Sequence, residues 1–447
     1  MSDNALTVNR HTLANGLRIV HSPDTTTAMV GMNILYNVGS RDEKRRRTGM
    51  AHLFEHLMFG GSANVEDFDA ELERAGGRSN AWTSCDFTNF YLSIPAQNVE
   101  TAFHLESDRM LALSFSERSL EIQKGVVIEE FKQQCLDRPY GRMMHTLRDA
   151  MYDRKHPYSW PTIGIKPEHI ANVTIDDIKK WFYAHYAPNN AILAVTGNIT
   201  FERVVELAEK WFGDIPSRKI APRRLPGPGF PTTDTYREVY DYVPATMVVV
   251  AIPMSAYGTE AYFAADAITD LLSAGRASRI NAHIVHDKGR GLITNADASI
   301  IGSEHEGMLM MISRITGNSD ADIARARDLL LDESRRLALS GEITDREWQP
   351  ALIRLIRQLD VPVIPIYFHE RNSIFSNILG LIDWRVRTMQ LPRELFSKTG
   401  RDMHITIGQP ISVEEQNKYT DLTEFGQFLR DSTYALKGKG LFLKYYK

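Results

Sequence analysis

The sequence predicts an α+β fold built twice: two related α/β half-domains, each an antiparallel sheet with helices packed on it, joined by a linker. Three observations carry this. Stretches of period-two alternation and stretches of helical period are mixed along each half. Between Gly213 and Asp234 the chain is dense in proline and glycine, most of all at Pro226-Gly-Pro-Gly-Phe-Pro231, and hydrophobic periodicity stops there. Beyond it a similar order of elements starts again, which reads as a weak duplication. The expected domains are residues 1–215 and 235–447, with 216–234 as the linker.

Taken in order, Leu13-Ala-Asn15-Gly16-Leu-Arg-Ile-Val20 reads as a β-hairpin with a two-residue type I′ turn, because Asn-Gly accepts positive φ. Ala28–Tyr36 is a second strand, and the basic run Lys44–Arg47 after it reads as a solvated loop. Apolar Ala51, Phe54, Leu57 and Met58 suit a buried helix, with Thr48 as N-cap and Gly60-Gly61 as its stop. Val65–Ala75 is an amphipathic helix closed by Gly76-Gly77, and residues 78–94 form a strand pair. Helical periods follow at 98–113, 116–137, 175–187 and 201–212, the last two bracketing the strand Ala191–Thr196. The second half predicts a strand at Met247–Ile252 and helices at Ala261–Ala274 and near Arg279–Asp287. Strands near Thr294–Ile300 and Met308–Ile315 and a helix at Asp320–Leu339 complete it. From Pro365 onward the pattern is weakest.

At 447 residues, 43% hydrophobic and 24% charged, the chain has the profile of an ordinary globular protein with ample core. A net charge of -4 makes no case for nucleic acid or for an anionic membrane. Cys85 and Cys135 lack Cys-x-x-Cys spacing and are expected as buried free thiols. Neither a basic nor an apolar leader opens the chain, which predicts a cytoplasmic protein, or a periplasmic one had a leader been removed.

The chemistry concentrates in His52-Leu-Phe-Glu55-His56. On a helix, i and i+4 share a face, so both imidazoles can point at one ion. A neighbouring carboxylate that does not ligate can serve as base for the metal's water, which is the need of a hydrolytic zinc site. The order is inverted relative to His-Glu-x-x-His, the inverzincin form. A third ligand is wanted, and the helix in 116–137 offers Glu129 and Glu130, of which only one can face the site because adjacent helical residues diverge by about 100°. Spacing leaves that choice open.

Together with Gly39-Ser-Arg-Asp-Glu43, Gly77-Arg-Ser-Asn80-Ala81-Trp82-Thr83, His156-Pro-Tyr158 and Asn190–Gly197, the motif resembles the M16 (pitrilysin/insulysin) metallopeptidase family. In length it is similar to the B-type subgroup, which includes the mitochondrial processing peptidase β subunit. The resemblance implies zinc held by His52, His56 and Glu130, with Glu55 as catalytic base. It also implies an edge strand at Asn80, Ala81, Trp82 and Thr83 that pairs with an extended peptide, and a chain forming one half-shell of a clamshell dimer. The family usually carries another carboxylate two turns before the ligand Glu; here Gln123 stands there.

In the second half, family members with a complete site carry an Arg and, seven positions later, a Tyr. Here His286 or Asp287 stands at the first position and Ile293 or Thr294 at the second. The resemblance therefore implies the catalytic subunit of a heterodimer whose zinc-less M16 partner supplies the pair; in a homodimer Arg290 would have to stand in. The expected function is a zinc endopeptidase for short or unfolded peptides, without nucleic-acid or membrane partners. The alternative is a non-catalytic structural or assembly subunit of the same fold. His104, His145, His156, His185 and His305 lack ligand spacing and are expected to be structural, and Met308, Met310 and Met311 to fill core.

Overall fold

The computed structural model of the chain describes residues 7–275, 278–340, 356, 362–368 and 405–436. The chain divides into two compact units, residues 1–244 and 245–447. The proline-rich stretch 216–234 falls in the first of these and carries no helix or strand.

The first unit runs β1 (Asn9–Thr12), β2 (Arg18–Pro23), β3 (Met29–Tyr36), α1 (Met50–Leu57), α2 (Phe68–Arg74), β4 (Arg78–Thr83) and β5 (Thr88–Pro95). Helices α3 (Val99–Leu111), α4 (Glu117–Phe131), α5 (Met143–Met151), α6 (Glu168–Ala171) and α7 (Ile175–His185) follow, then β6 (Ala191–Gly197) and α8 (Phe201–Phe212). Its sheet has the order β1-β2-β6-β3-β5-β4. One departure from the antiparallel expectation is the β2–β6 pair, which is parallel and register-matched from Arg18↔Ile192 to Pro23↔Gly197. Such a pair needs a long crossover, and the helices between the two strands provide it.

Alternation decides which face is core. Val30, Ile34 and Tyr36 of β3 are fully buried while the residues between them are partly open. Each such side chain contributes about 1.5–3 kcal/mol on leaving water. Arg109 lies inside this apolar mass. Its guanidinium pairs with the buried Glu106 and sits 4.3 Å from the Phe68 ring and 4.4 Å from Phe90, so the charge is matched on one side and faces π-electrons on the other.

Local expectations are corrected in three places. The first hairpin does not use a type I′ turn: Gly16 has φ +88° but Asn15 stays out of the left-handed region. Gly16 N–H bonds Leu13 O and Leu13 N–H bonds Leu17 O, both at 2.9 Å, a three-residue loop with a glycine bulge. Asn15 spends its side chain elsewhere, donating to Phe212 O at 2.7 Å and Ile215 O at 2.9 Å. Thr48 does not cap α1; Gly49 holds that position, and the Thr48 hydroxyl meets His169 Nδ1 at 2.8 Å and the Ile165 N–H at 2.8 Å. The run Lys44–Arg47 is not simply solvated, since Arg45 reaches Asp149 at 3.0 Å and Ser159 at 2.9 Å, and Arg47 pairs with Asp177.

The second unit repeats the sheet-and-helix plan with β7 (Thr246–Met254), α9 (Glu260–Ser273), a π-helical stretch Ile280–Lys288, β8 (Ile293–Ile301), β9 (Gly307–Ile315) and α10 (Asp320–Ser340). Its antiparallel sheet has the order β7-β9-β8, the counterpart of β3-β5-β4. Met308 and Met311 are fully buried, in the core where the sequence places them. Of the weakly patterned end, the strands Ile366–Phe368 and Ile405–Ile407 pair antiparallel, and helices Val413–Asn417 and Leu422–Tyr434 follow; most of the rest lies outside the described residues. Cys85 and Cys135 are buried free thiols.

Candidate metal centre

Helix α1 begins only two residues before His52, and its start is held from outside the helix. Gly49, at φ +89°, offers no side chain to cap it. The buried Glu43 carboxylate does so instead, accepting Gly49 N–H at 3.0 Å and Ala51 N–H at 2.9 Å, and the Trp160 indole N–H at 3.0 Å. Burial nevertheless pushes the Glu43 carboxyl up to about 8, against the pull of its N–H donors. The 39–43 loop is fixed in turn by Arg41, buried, whose guanidinium bonds Asp86 at 2.9 Å; the Tyr158 hydroxyl shares that carboxylate. The segments Gly39–Glu43 and His156–Tyr158 thus brace the metal-motif helix. Neither brace was recognisable as such from spacing, since the partners lie far apart along the chain.

From α1, His52 and His56 project toward α4. Their rings stand at 88° with centroids 4.9 Å apart. Glu130 comes up opposite them, its Oε2 lying 3.6 Å from His52 Nε2 and 3.4 Å from His56 Nε2. Among the described residues these three form the one cluster whose ligand atoms all lie within 4.8 Å of one another. The separations fit a tetrahedral ion: bonds of about 2.0–2.1 Å place neighbouring donors about 3.3 Å apart. Burial lowers the His52 imidazole below its ordinary value, which favours the neutral form that can ligate. Of the two candidate carboxylates, Glu129 turns away and pairs with Lys132 at 3.1 Å.

Glu55 shares α1 with the histidines. Its Oε2 accepts a 2.5 Å hydrogen bond from the Thr83 hydroxyl. Burial raises its pKa, opposed by that hydrogen bond and by His56. Thr83 belongs to β4, an edge strand of its sheet that among the described residues pairs β5 alone. Asn80 and Trp82 lie on the exposed face of β4, while Ala81 and Thr83 alternate inward. The Ala81 N–H is met by Asn80 Oδ1 at 2.8 Å. Of the four residues expected to face a peptide, Thr83 is thus engaged with Glu55, a contact that strand alternation alone does not reveal.

In the second unit, His286 and Asp287 are exposed on the π-helical stretch. Ile293 is buried, and Thr294 donates its hydroxyl to Arg314 O at 3.1 Å. His104, His156 and His185 pack against aromatic rings, and His145 bonds Gly164 O at 2.8 Å.

The first unit thus sets the His-x-x-Glu-His of one helix against a glutamate from another. The chain belongs to the M16 peptidase family: residues 18–162 match Insulinase (Peptidase family M16) and residues 172–355 match the Peptidase M16 inactive domain. It is 30% identical to the zinc protease PqqE of Helicobacter pylori over 344 residues, 75% of this chain and 76% of that protein. It is 25% identical to the mitochondrial-processing peptidase subunit beta of Saccharomyces cerevisiae over 357 residues, 77% of this chain and 76% of that protein. A crystal structure of a protease from Helicobacter pylori superposes with a TM-score of 0.70 at 26% identity, over 97% of this chain and 96% of that one. Among the described residues no helix is long and apolar enough to cross a membrane.

Proposed function

We propose that the chain is a zinc-dependent endopeptidase acting on short or unfolded peptides, with His52, His56 and Glu130 as metal ligands and Glu55 as base. The observation that carries this reading is the convergence of two imidazole nitrogens and one carboxylate oxygen beside a second carboxylate that is oriented but not among them. The names of its relatives, zinc protease and processing peptidase, point the same way. Zinc, when bound, supplies a Lewis acid that acidifies water and polarises a peptide carbonyl.

The chain's own groups do the rest. Thr83 holds one oxygen of Glu55, which leaves the other to take a proton from water and return it to the departing amine. The open side of β4 adds an extended peptide as a further strand, so recognition runs through the main chain and favours substrates that can be straightened. An incoming carbonyl would replace Asn80 Oδ1 on the Ala81 N–H.

The missing Arg/Tyr pair favours a heterodimer in which a related, zinc-less subunit completes the site; a homodimer is the other arrangement. The same absence is the one feature that suits the second reading, a structural or assembly subunit. Glu55→Gln separates the two. It is expected to retain zinc while peptide cleavage falls by at least about 100-fold. Cleavage unchanged by the substitution, in the presence of the partner, would refute the peptidase reading.

A further inference from the structure

We infer that Gln134 is a positioning residue that determines how Glu130 meets the ion, an inference that rests on the zinc-centre reading above. The two oxygens of Glu130 are divided between different neighbours. Oε2 faces both imidazoles, whereas Oε1 accepts a 2.6 Å hydrogen bond from the Gln134 side-chain amide. The terminal torsion of a glutamate is broad, so an untethered carboxylate can offer either oxygen, or both. Two-oxygen engagement would fill the position that a hydrolytic site keeps for water. With Oε1 tied down, Oε2 alone is left for the metal.

The local backbone places the donor. After Phe131, α4 widens into a π-helical turn, Lys132–Leu136. Cys135 of that turn is buried with Phe131 and Ile163, so the turn is anchored from beneath while Gln134 reaches over the surface to Glu130. The donor is neutral and adds no positive charge beside a cation. It also lies on the C-terminal side of Glu130, opposite Gln123, the position where a charged neighbour was expected. The carboxylate is thus steadied from one turn after the ligand.

The test uses the full chain, stripped of metal and titrated with Zn²⁺ against a competing chelator. Gln134→Met keeps the side chain's length and removes its donor; zinc affinity is expected to fall roughly 10–100-fold. Gln134→Ala is expected to lose as much, while Gln133→Met, on the same turn, should leave affinity unaltered. In Co²⁺-loaded protein, visible absorption should weaken in Gln134→Met as Glu130 engages through both oxygens. Melting of the metal-free variants at the wild-type temperature separates this from unfolding. Gln134→Met with wild-type zinc affinity and an unchanged cobalt spectrum overturns the inference. Should His52→Ala bind zinc as tightly as wild type, the zinc-centre reading itself fails; if His52→Ala loses zinc and Gln134→Met does not, only the role of Gln134 falls.

Discussion

Thr83 touches Glu55 through a single hydroxyl, yet that contact orients the group assigned to move protons. A hydrogen bond to a charged partner is worth about 1.5–3 kcal/mol. Thr83→Val should therefore lower kcat about 10–100-fold with KM little changed, and Thr83→Ser should restore it; steady-state peptide cleavage reads both. Glu43 is the other residue whose environment makes a prediction. Its folded-state pKa, about 8, lies above the ordinary glutamate value of 4.5. The folded protein therefore holds a proton that the unfolded chain releases between these values, and stability from this group is full below 4.5 and lost as pH rises through 8. Melting temperature measured from pH 5 to 9 should decline more steeply for wild type than for Glu43→Gln. Matching slopes would count against a buried, protonated carboxyl. The histidine pair and Glu55 were legible from their spacing, because a helix fixes which side chains share a face. Glu43 and Gln134 were not, because their roles depend on a remote loop and on a local widening of the helix.

At the scale of elements, hydrophobic period located six of the eight described helices of the first unit, but it missed the short α5 and α6, and the helix ends escaped it. Thr48 carries the residue type of a cap and stands one residue early; the chain instead turns at Gly49 and borrows Glu43. A Cβ on Gly49 would come within 2.9 Å of Ile170 Cδ1 and 3.0 Å of Ile163 O, at a φ that disfavours side chains. Gly49→Ala is expected to destabilise the first unit by about 1–3 kcal/mol and to weaken zinc binding along with it, since His52 lies three residues on. Thermal unfolding and chelator competition together check this. Asn15-Gly16 shows the same limit in reverse: the turn was visible, but its type was set by Asn15 bonding the end of α8, nearly two hundred residues away.

For the whole molecule, only the first unit holds the metal cluster among the described residues. Zinc at a thousandfold excess over its dissociation constant contributes about 4 kcal/mol. Chelation should therefore lower the melting of residues 1–244 and leave that of 245–447 in place; calorimetry of wild type and His52→Ala distinguishes this from general destabilisation. The duplication was legible because both halves reuse one order of strands and helices. A lone chain is expected to cleave peptides slowly, and a zinc-less relative carrying the Arg/Tyr pair to accelerate it, which mixing the two purified chains would show. The open flank of β4 has a consequence of its own. Unpaired main-chain groups along a sheet's border can take the same border of a second molecule, so the strand needs protection against stacking with itself. Asn80 already occupies one of its amides, and Arg78 puts charge at its beginning. Replacing both with valine should turn a dispersed protein into one that clumps on standing, long before it loses its shape.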